Sequence, residues 1–413
     1  MKSLNVKTFI VFCLLVMIAL PANAEFRIRG SVGADAYGYQ DHHQEDHLLL
    51  IQNTRFSINQ LDGKWNMYFS GGYIGDNADD FSNSGRGRFL RGHLNYGKMG
   101  DATRIKLGRF FVYQGVALGV VDGIEFKKRM NKNVSFSVHG GLMGPYSRQF
   151  ELEDPDKALT FGGEVSFTPS NCRIADYGNM RLSFNSQDRE NGTVRQLVGL
   201  STYNKWGRSL RLMNTVHFRT SGNVLRKFVS RLRYMDHSWN LLGELGVITP
   251  DITDYSWFSG FGNHGRSRIR LAADRYLVPK KWAAGLDMDL LLASGNSGFR
   301  GGPVVTTPWG KAGYRFSGGD LGLSSGPWVS VHYNVTEGLD VHAYGAIVSY
   351  EWDAFDIETE DLTSFHAGFR YTPKFMESMI LHAEYQTYET PQLSSDTRAL
   401  GGLTWRFDTR RKS

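Results

Sequence analysis

The sequence predicts an all-β protein: a closed up-and-down antiparallel transmembrane β-barrel. Three observations predict it, namely short segments that alternate apolar and polar residues, 13% aromatic residues, and 47 glycines against 11 prolines. The mean hydropathy of −0.34 excludes a bundle of membrane-spanning helices, because each such helix needs about 20 consecutive apolar residues. The many aromatic residues also exclude a disordered chain.

Residues 1–24 predict a secretory signal peptide. Two lysines precede an uncharged apolar stretch, and Ala22-Asn23-Ala24 provides a small-residue cleavage site, so we expect cleavage before Glu25. An uncleaved anchor helix is the alternative. Removing this segment leaves Cys172 as the only cysteine, which excludes an intramolecular disulfide bond. The net charge falls from +6 to +4, and this small excess predicts no nucleic-acid partner.

From Glu25 onward, segments of about ten residues alternate with a period of two, as strands do when one face is apolar and the other polar. Short connections such as Asp62-Gly63 alternate mostly with longer ones such as 249–265. Short turns on one rim and long loops on the other are typical of a transmembrane barrel. We predict about 20 strands, with 18 as the alternative, in one domain over 25–407, followed by a polar tail over 408–413.

Strand parity predicts which charged side chains point into the barrel. Those of the candidate pore-lining and substrate-binding site are Arg195, Arg211, Arg219, Lys227, Arg231, Arg233, Arg268 and Arg270. Arg27 and Arg29 from the first strand and Arg406 from the last are predicted to join them. The inward acidic residues are fewer: Asp35, Glu244, Asp274, Asp287 and Asp289. A ring of positive charge inside a pore selects anions, and guanidinium groups suit carboxylate or phosphate.

The favoured hypothesis is a passive porin-like channel for anionic small solutes or oligosaccharides. The alternative is a plugged structural or anchoring barrel in which these arginines pair with the inward acids. The glycine-rich span from Ser294 to Gly326 is predicted to be a long loop that either plugs the lumen or narrows it.

Two short motifs carry a family resemblance. Leu107-Gly108-Arg109 followed by Val121-Asp122-Gly123-Ile124 resembles a strand pair of substrate-specific porins, and Leu292-Ala293-Ser294-Gly295-Asn296 is similar to a passage in alginate-export-type barrels. The resemblance implies a member of the Gram-negative outer-membrane porin superfamily. Barrels of the alginate-export type pass an anionic polysaccharide through an arginine-rich lumen. Arg109 breaks the alternation of its segment, which predicts a β-bulge or a shifted register.

The segment from Ala399 to Phe407 alternates and ends in an aromatic residue, and it resembles the C-terminal strand by which Gram-negative outer-membrane barrels are recognised for assembly. The predicted location is therefore the outer membrane of a Gram-negative cell, reached through the periplasm. The expected partners are the lipid bilayer and lipopolysaccharide. Monomer and trimer both remain open.

Other candidate sites are weaker. The segment from Asp41 to His47 is rich in metal-competent side chains without a fixed ligand spacing, and Asp76, Asp79 and Asp80 lack the spacing of a calcium loop. We therefore predict no metal site and no cofactor. An aromatic loop contains Tyr255, Trp257, Phe258 and Phe261, and either stacks on sugar rings or packs on itself.

A lipid-modifying enzyme is the rival class, because such enzymes need a serine beside a histidine. The candidate pairs are His237-Ser238 and His264 with Ser267, and neither has the arrangement expected of an outer-membrane lipase. We predict no enzymatic activity and no catalytic residues.

Overall fold

A computed structural model provides the structure of the chain. It describes residues 26–40, 45–60, 64–76, 85–97, 100–145, 158–169, 175–188, 195–249, 265–278, 281–293, 295–320, 322–352, 357–390 and 393–409. The predicted signal peptide and the residues after Thr409 fall outside these ranges.

The described residues form 22 β-strands and one short 3₁₀ helix, Lys374–Met376. The strands are β1 Phe26–Gln40, β2 Asp46–Gln60, β3 Trp65–Asp76, β4 Arg86–Tyr96, β5 Thr103–Gln114, β6 Ala117–Arg129, β7 Val134–Met143, β8 Leu159–Phe167, β9 Tyr177–Gln187, β10 Arg195–Trp206, β11 Leu210–Arg219, β12 Val224–Met235, β13 Trp239–Ile248, β14 Arg266–Val278, β15 Trp282–Ala293, β16 Asn296–Thr307, β17 Gly310–Gly319, β18 Leu323–Thr336, β19 Leu339–Trp352, β20 Ile357–Tyr371, β21 Met379–Thr390 and β22 Leu393–Asp408. No helix in the described ranges is long and apolar enough to cross a membrane.

Every strand pairs antiparallel with its sequence neighbour, and β1 pairs with β22, so the sheet closes on itself. The closing register runs from Arg29 opposite Asp408 to Tyr39 opposite Arg398. Closure leaves no sheet edge at this seam, which is what a sheet surrounded by hydrocarbon requires. The predicted closed antiparallel barrel is confirmed.

The strand count exceeds the expected 20 by two, and the span from Ser294 to Gly326 explains the difference. The prediction that this span is a plug or constriction loop is wrong. The span contains β16, β17 and the start of β18, all of which are part of the barrel wall. Its glycines obscure the alternation because they replace side chains where strands approach closely. A Cβ atom at Gly302 would lie 1.8 Å from the carbonyl oxygen of Tyr314. Ser294 itself is not among the described residues.

One face of the sheet carries large apolar side chains that are exposed around the barrel. Its exposed members outside β5 and β6 include Leu50, Leu182, Leu232, Leu271, Val305, Ile347 and Trp405, with exposed fractions between 43% and 60%. Because the opposite face of the same strands is mostly polar or charged, the apolar face is the outer surface that meets lipid.

Candidate functional site

The inner face of the barrel carries the predicted cationic side chains. On β12, Leu232 and Tyr234 are 47% and 37% exposed on the outer surface, so Arg231 and Arg233 between and beside them point inward. The same parity and register apply to the neighbouring strands. The inner face thus carries Arg195 on β10, Arg211 and Arg219 on β11, Lys227, Arg231 and Arg233 on β12, and Arg268 and Arg270 on β14.

Three of these arginines belong to an ion-pair network with the inward acids. Arg231 donates from Nε to Oε2 of Glu244 at 2.5 Å. Arg268 makes a two-point contact with Asp289 at 2.5 and 2.6 Å, and Arg270 makes a similar contact with Asp287 at 3.0 and 2.6 Å.

The network extends beyond the predicted residues. Arg300 on β16 donates to the same Asp289 at 3.2 Å, and Arg268 also lies 4.0 Å from Glu244. These contacts join β12 to β16 through charge-assisted hydrogen bonds. On this part of the wall, the positive charge is largely compensated.

A different part of the wall carries cations without acidic partners. Lys205, Arg211 and Arg233 occupy one cross-strand row, with Lys205 opposite Arg211 and Arg211 opposite Arg233. Arg233 donates to the Asn240 side chain at 2.9 Å. Within the described ranges, no carboxylate lies within 4 Å of these three side chains or of Lys227. Like charges directly opposite each other destabilise a sheet. A mobile anion bound beside this row would reduce that repulsion.

A third group contains an arginine that parity did not predict. Arg226 is 8% exposed and lies close enough to Arg195 and Arg219 to interact with both electrostatically. The β11–β12 ladder shifts register between His217 and Phe218. Such an irregularity breaks strict alternation, and the pattern around Lys227 gives little sign of it.

The β5–β6 hairpin departs from the wall and enters the lumen. β5 pairs with β4 only from Ile105 to Arg109, and β6 pairs with β7 only from Val121 to Arg129. Between these points, the two arms form ladder pairs with each other, and the wall adds a backbone hydrogen bond from the Gly144 N–H to the Val120 carbonyl at 2.8 Å. We call residues 110–120 the inward hairpin.

The inward hairpin packs against the inner surface of β7–β10. Its Phe110, Val112 and Ala117, with Val121 just below, form a buried cluster in which each residue is at most 4% exposed. Gln114 contacts Nδ1 of His139 on β7 at 3.2 Å, which fixes the hairpin to the wall beside this apolar contact.

The tip of the hairpin sits on β9 and β10. The backbone N–H of Val116 donates to Oγ of Ser183 at 3.2 Å, and Ser183 donates to the carbonyl of Gly199 at 3.3 Å. Gly115 has φ +52°, and a Cβ atom there would lie 2.0 Å from the Ser183 oxygen. Only glycine fits this close contact.

The base of the hairpin carries the motif that the sequence analysis singled out. Arg109 donates twice to Asp122, at 2.6 and 2.7 Å, and once to the carbonyl of Phe89 at 3.2 Å. The two side chains are 4% and 7% exposed. The predicted bulge or register shift at Arg109 is wrong, because the β5–β6 ladder runs through Arg109 without a shift and the β4–β5 ladder ends there in register. Instead, the strand bends inward next to Gly108, which has φ +118°.

Two cavities lie inside the barrel next to these elements. One, of about 530 Å³, lies against β2–β6. The other, of about 430 Å³, lies beside the hairpin and includes Phe111 and Tyr113. Tyr113 is 81% exposed, so the hairpin presents an aromatic side chain to the lumen. Both cavities are lined by Lys106, Glu125 and Lys127.

No protein-family model matches the chain, and no curated protein matches it in sequence. Solved structures do resemble it. The translocation pore of the P pilus usher PapC superposes with a TM-score of 0.56 at 9% identity, covering 92% of this chain and 99% of that one. OccAB4 of Acinetobacter baumannii gives 0.46 at 10% identity, with 94% and 100% covered. A BenF-like porin of Pseudomonas fluorescens gives 0.41 at 8% identity, with 93% and 99% covered.

The chain has the closed antiparallel β-barrel fold of the usher translocation pore. The usher comparison and the closed 22-stranded sheet establish the fold, and the apolar outer surface matches a lipid environment. At this sequence identity the likeness extends to the fold alone.

The remaining sequence candidates do not form a second site in the described part of the barrel. His47 contacts Asp76 at 3.1 Å and stacks on Tyr39, but no group of three or more potential metal ligands occurs among the described residues. The segment 41–44, the carboxylates Asp79 and Asp80, the aromatic loop of 255–261, and His264 are not described.

The His237-Ser238 pair lies in the turn between β12 and β13. Its neighbour Asp236 accepts hydrogen bonds from the Tyr234 hydroxyl and from the backbone N–H groups of Trp239 and Ser238. These bonds hold the pKa of the Asp236 carboxyl below its ordinary value, since they favour its charged form. The arrangement is a turn closed by a carboxylate.

Proposed function

We propose that this barrel is a passive outer-membrane channel that favours anionic small solutes or oligosaccharides. The observation that carries the proposal is the inner-face row of Lys205, Arg211 and Arg233, which has no carboxylate within 4 Å in the described ranges. Uncompensated charge on a pore wall raises the local concentration of ions of opposite sign.

The three groups of cations have different roles in this proposal. The paired side chains Arg231, Arg268 and Arg270 hold the wall together and contribute little net charge. The row and Lys227 supply the field that attracts anions. Arg195, Arg219 and Arg226 form a separate group further along the wall. The inward hairpin narrows the path that a solute takes past this wall.

The test is the reversal potential of the purified barrel in planar bilayers under a salt gradient. We expect the sign that indicates anion preference, and we expect the double variant Arg211→Ser/Arg233→Ser to move the potential toward zero. Arg275→Ser is the matched control, because Arg275 lies on the outer face above the Trp239 ring. Cation preference in the unmodified barrel would refute the proposal.

A second candidate is a plugged structural or anchoring barrel. The ion-pair network from Arg231 to Arg300 and the inward hairpin favour it, because both fill the interior with protein contacts. This candidate predicts no measurable conductance in the same bilayers.

We extend the proposal to the rest of the chain. Residues 1–24 are a signal peptide cleaved before Glu25, and 25–407 form the mature barrel ahead of a polar tail over 408–413. The partners are the lipid bilayer, lipopolysaccharide and the anionic solute. We assign the chain no enzymatic activity.

A further inference from the structure

The cavity of about 530 Å³ lies on the wall formed by β2–β6, away from the predicted cations of β10–β14. A row of polar side chains crosses it from strand to strand: Asn59 on β2, Asn66 on β3, Asn95 on β4, Lys106 on β5 and Glu125 on β6 are successive cross-strand partners. The Asn95 amide donates to Asn66 at 2.9 Å, and Asn66 donates in turn to Asn59. The row offers both donors and acceptors to a ligand.

Four cations line the same cavity against one acid. Lys106 pairs with Glu125 at 2.8 Å. Arg104 and Lys127 face each other directly across β5 and β6, and Lys64 completes the set. Within the described ranges, no carboxylate lies within 4 Å of Lys64, Arg104 or Lys127. The cavity therefore has an excess of three positive charges.

This charge arrangement favours a doubly charged, tetrahedral anion. Directly opposed like charges destabilise a sheet, and an anion between Arg104 and Lys127 removes that repulsion. A single carboxylate carries one charge and is matched best by one guanidinium fork. Two lysines act as point charges without such planar preference, so they suit phosphate, which carries nearly two charges at neutral pH.

We propose that this cavity binds a hydroxylated phosphate ester, with the phosphate between Arg104, Lys127 and Lys64 and the hydroxyl groups on the asparagine row. This rests on the proposed channel function and names the class of solute that the channel selects. The site is separate from the row of Lys205, Arg211 and Arg233 on the other wall.

Isothermal titration calorimetry of the purified full chain in detergent tests the site directly. The probes are glucose 6-phosphate, glucuronate, glucose and inorganic phosphate, which separate the phosphate, the carboxylate and the hydroxyl groups. We expect glucose 6-phosphate to bind about tenfold tighter than glucuronate, and glucose to show no binding. Equal or tighter binding of glucuronate would overturn the assignment.

Variants locate the binding on this wall. Arg104→Ser and Lys127→Ser are each expected to weaken glucose 6-phosphate about tenfold, the effect of losing one hydrogen bond to a charged group. Asn66→Ala is expected to weaken glucose 6-phosphate and leave inorganic phosphate unchanged. Lys128→Ser is the matched control, because Lys128 is exposed on the outer face next to Lys127. Retention of full affinity in both cation variants would place the ligand elsewhere and refute the site.

The outcome also separates this inference from the channel itself. Anion-selective conductance without selective phosphate-ester binding would support the channel proposal and refute the proposed site. Selective binding without conductance would support the proposed site and refute the channel proposal. Should one cation variant fail to fold, which circular dichroism shows as loss of β-sheet signal, the other variant still decides.

Discussion

Arg109 and Asp122 form the most enclosed ion pair among the described contacts, and it joins the two arms of the β5–β6 hairpin at its base. The pair makes two hydrogen bonds and its side chains are 4% and 7% exposed. Removing one partner of such a pair leaves the other charge buried without compensation, which costs far more than losing an exposed pair.

Asp122→Asn is therefore expected to lower the free energy of unfolding by about 3–5 kcal/mol. Urea titration of the barrel in detergent, followed by tryptophan fluorescence, measures the change. Asp408→Asn is the matched control, because its partner Arg27 and Asp408 itself are 36% and 30% exposed, and such pairs contribute only about 0–1 kcal/mol. Similar losses of unfolding free energy in both variants would show that burial does not make the Arg109–Asp122 pair more important than an exposed pair.

Asp289 compensates two arginines at once, Arg268 at 2.5 Å and Arg300 at 3.2 Å. Asp289→Asn is expected to leave Arg300 without its acidic partner and Arg268 with only the more distant Glu244, and so to strengthen anion preference. The reversal potential in planar bilayers measures this, and it should move away from zero. An unchanged reversal potential would show that this network does not face the conducting path.

At the scale of the element, the inward hairpin is held by a contact that tolerates no side chain at Gly115. Gly115→Val is expected to lift the tip from Ser183, because the new side chain overlaps the serine oxygen and the backbone has positive φ. Single-channel conductance should rise as the hairpin leaves the lumen. Gly87→Ala is the control, since nothing lies within 4 Å of its Cβ position. An unchanged conductance in Gly115→Val would show that the hairpin does not limit ion flow.

The inward path of this hairpin was not predictable from alternation. Phe111, Tyr113 and Leu118 follow the period of a lipid-facing strand face, and nothing local distinguishes them from such residues. Their exposure to the lumen depends on where β4 and β7 stop pairing with the hairpin, which is a tertiary property. The break at Arg109 gave the only local sign, and it marks a bend and not a bulge.

The predictable part of the site consists of regular strands. Parity alone placed Arg231, Arg268 and Arg270 on one face with Glu244, Asp287 and Asp289, and the structure pairs them. Arg226 lies beside a register shift, and β16 and β17 are rich in glycine, so alternation could not find them. The 530 Å³ cavity needs side chains from β2 to β6, whose adjacency follows only from the register.

At the scale of the whole molecule, the barrel separates an apolar outer surface from a charged interior. Leu271→Arg places a charge on the lipid side near the middle of β14, which is expected to cost about 2–4 kcal/mol at the bilayer midplane. Ala272→Lys places a charge one residue further, opposite the inward Asp287, where little loss is expected. Unfolding titrations in lipid vesicles measure both variants. A larger loss of unfolding free energy in Ala272→Lys than in Leu271→Arg would reverse the assignment of the two faces.

The pairing of β1 with β22 has a consequence for biogenesis. The seam joins residues almost four hundred positions apart, and Arg27 meets Asp408 across it. Before that seam forms, the growing sheet has two open edges whose backbone groups have no partner in hydrocarbon, a costly condition. An open sheet of 21 strands therefore has the same two unpaired edges in the membrane as an open sheet of five strands. Chains cut short before β22 cannot form this seam, and they are therefore expected to be unstable in the membrane.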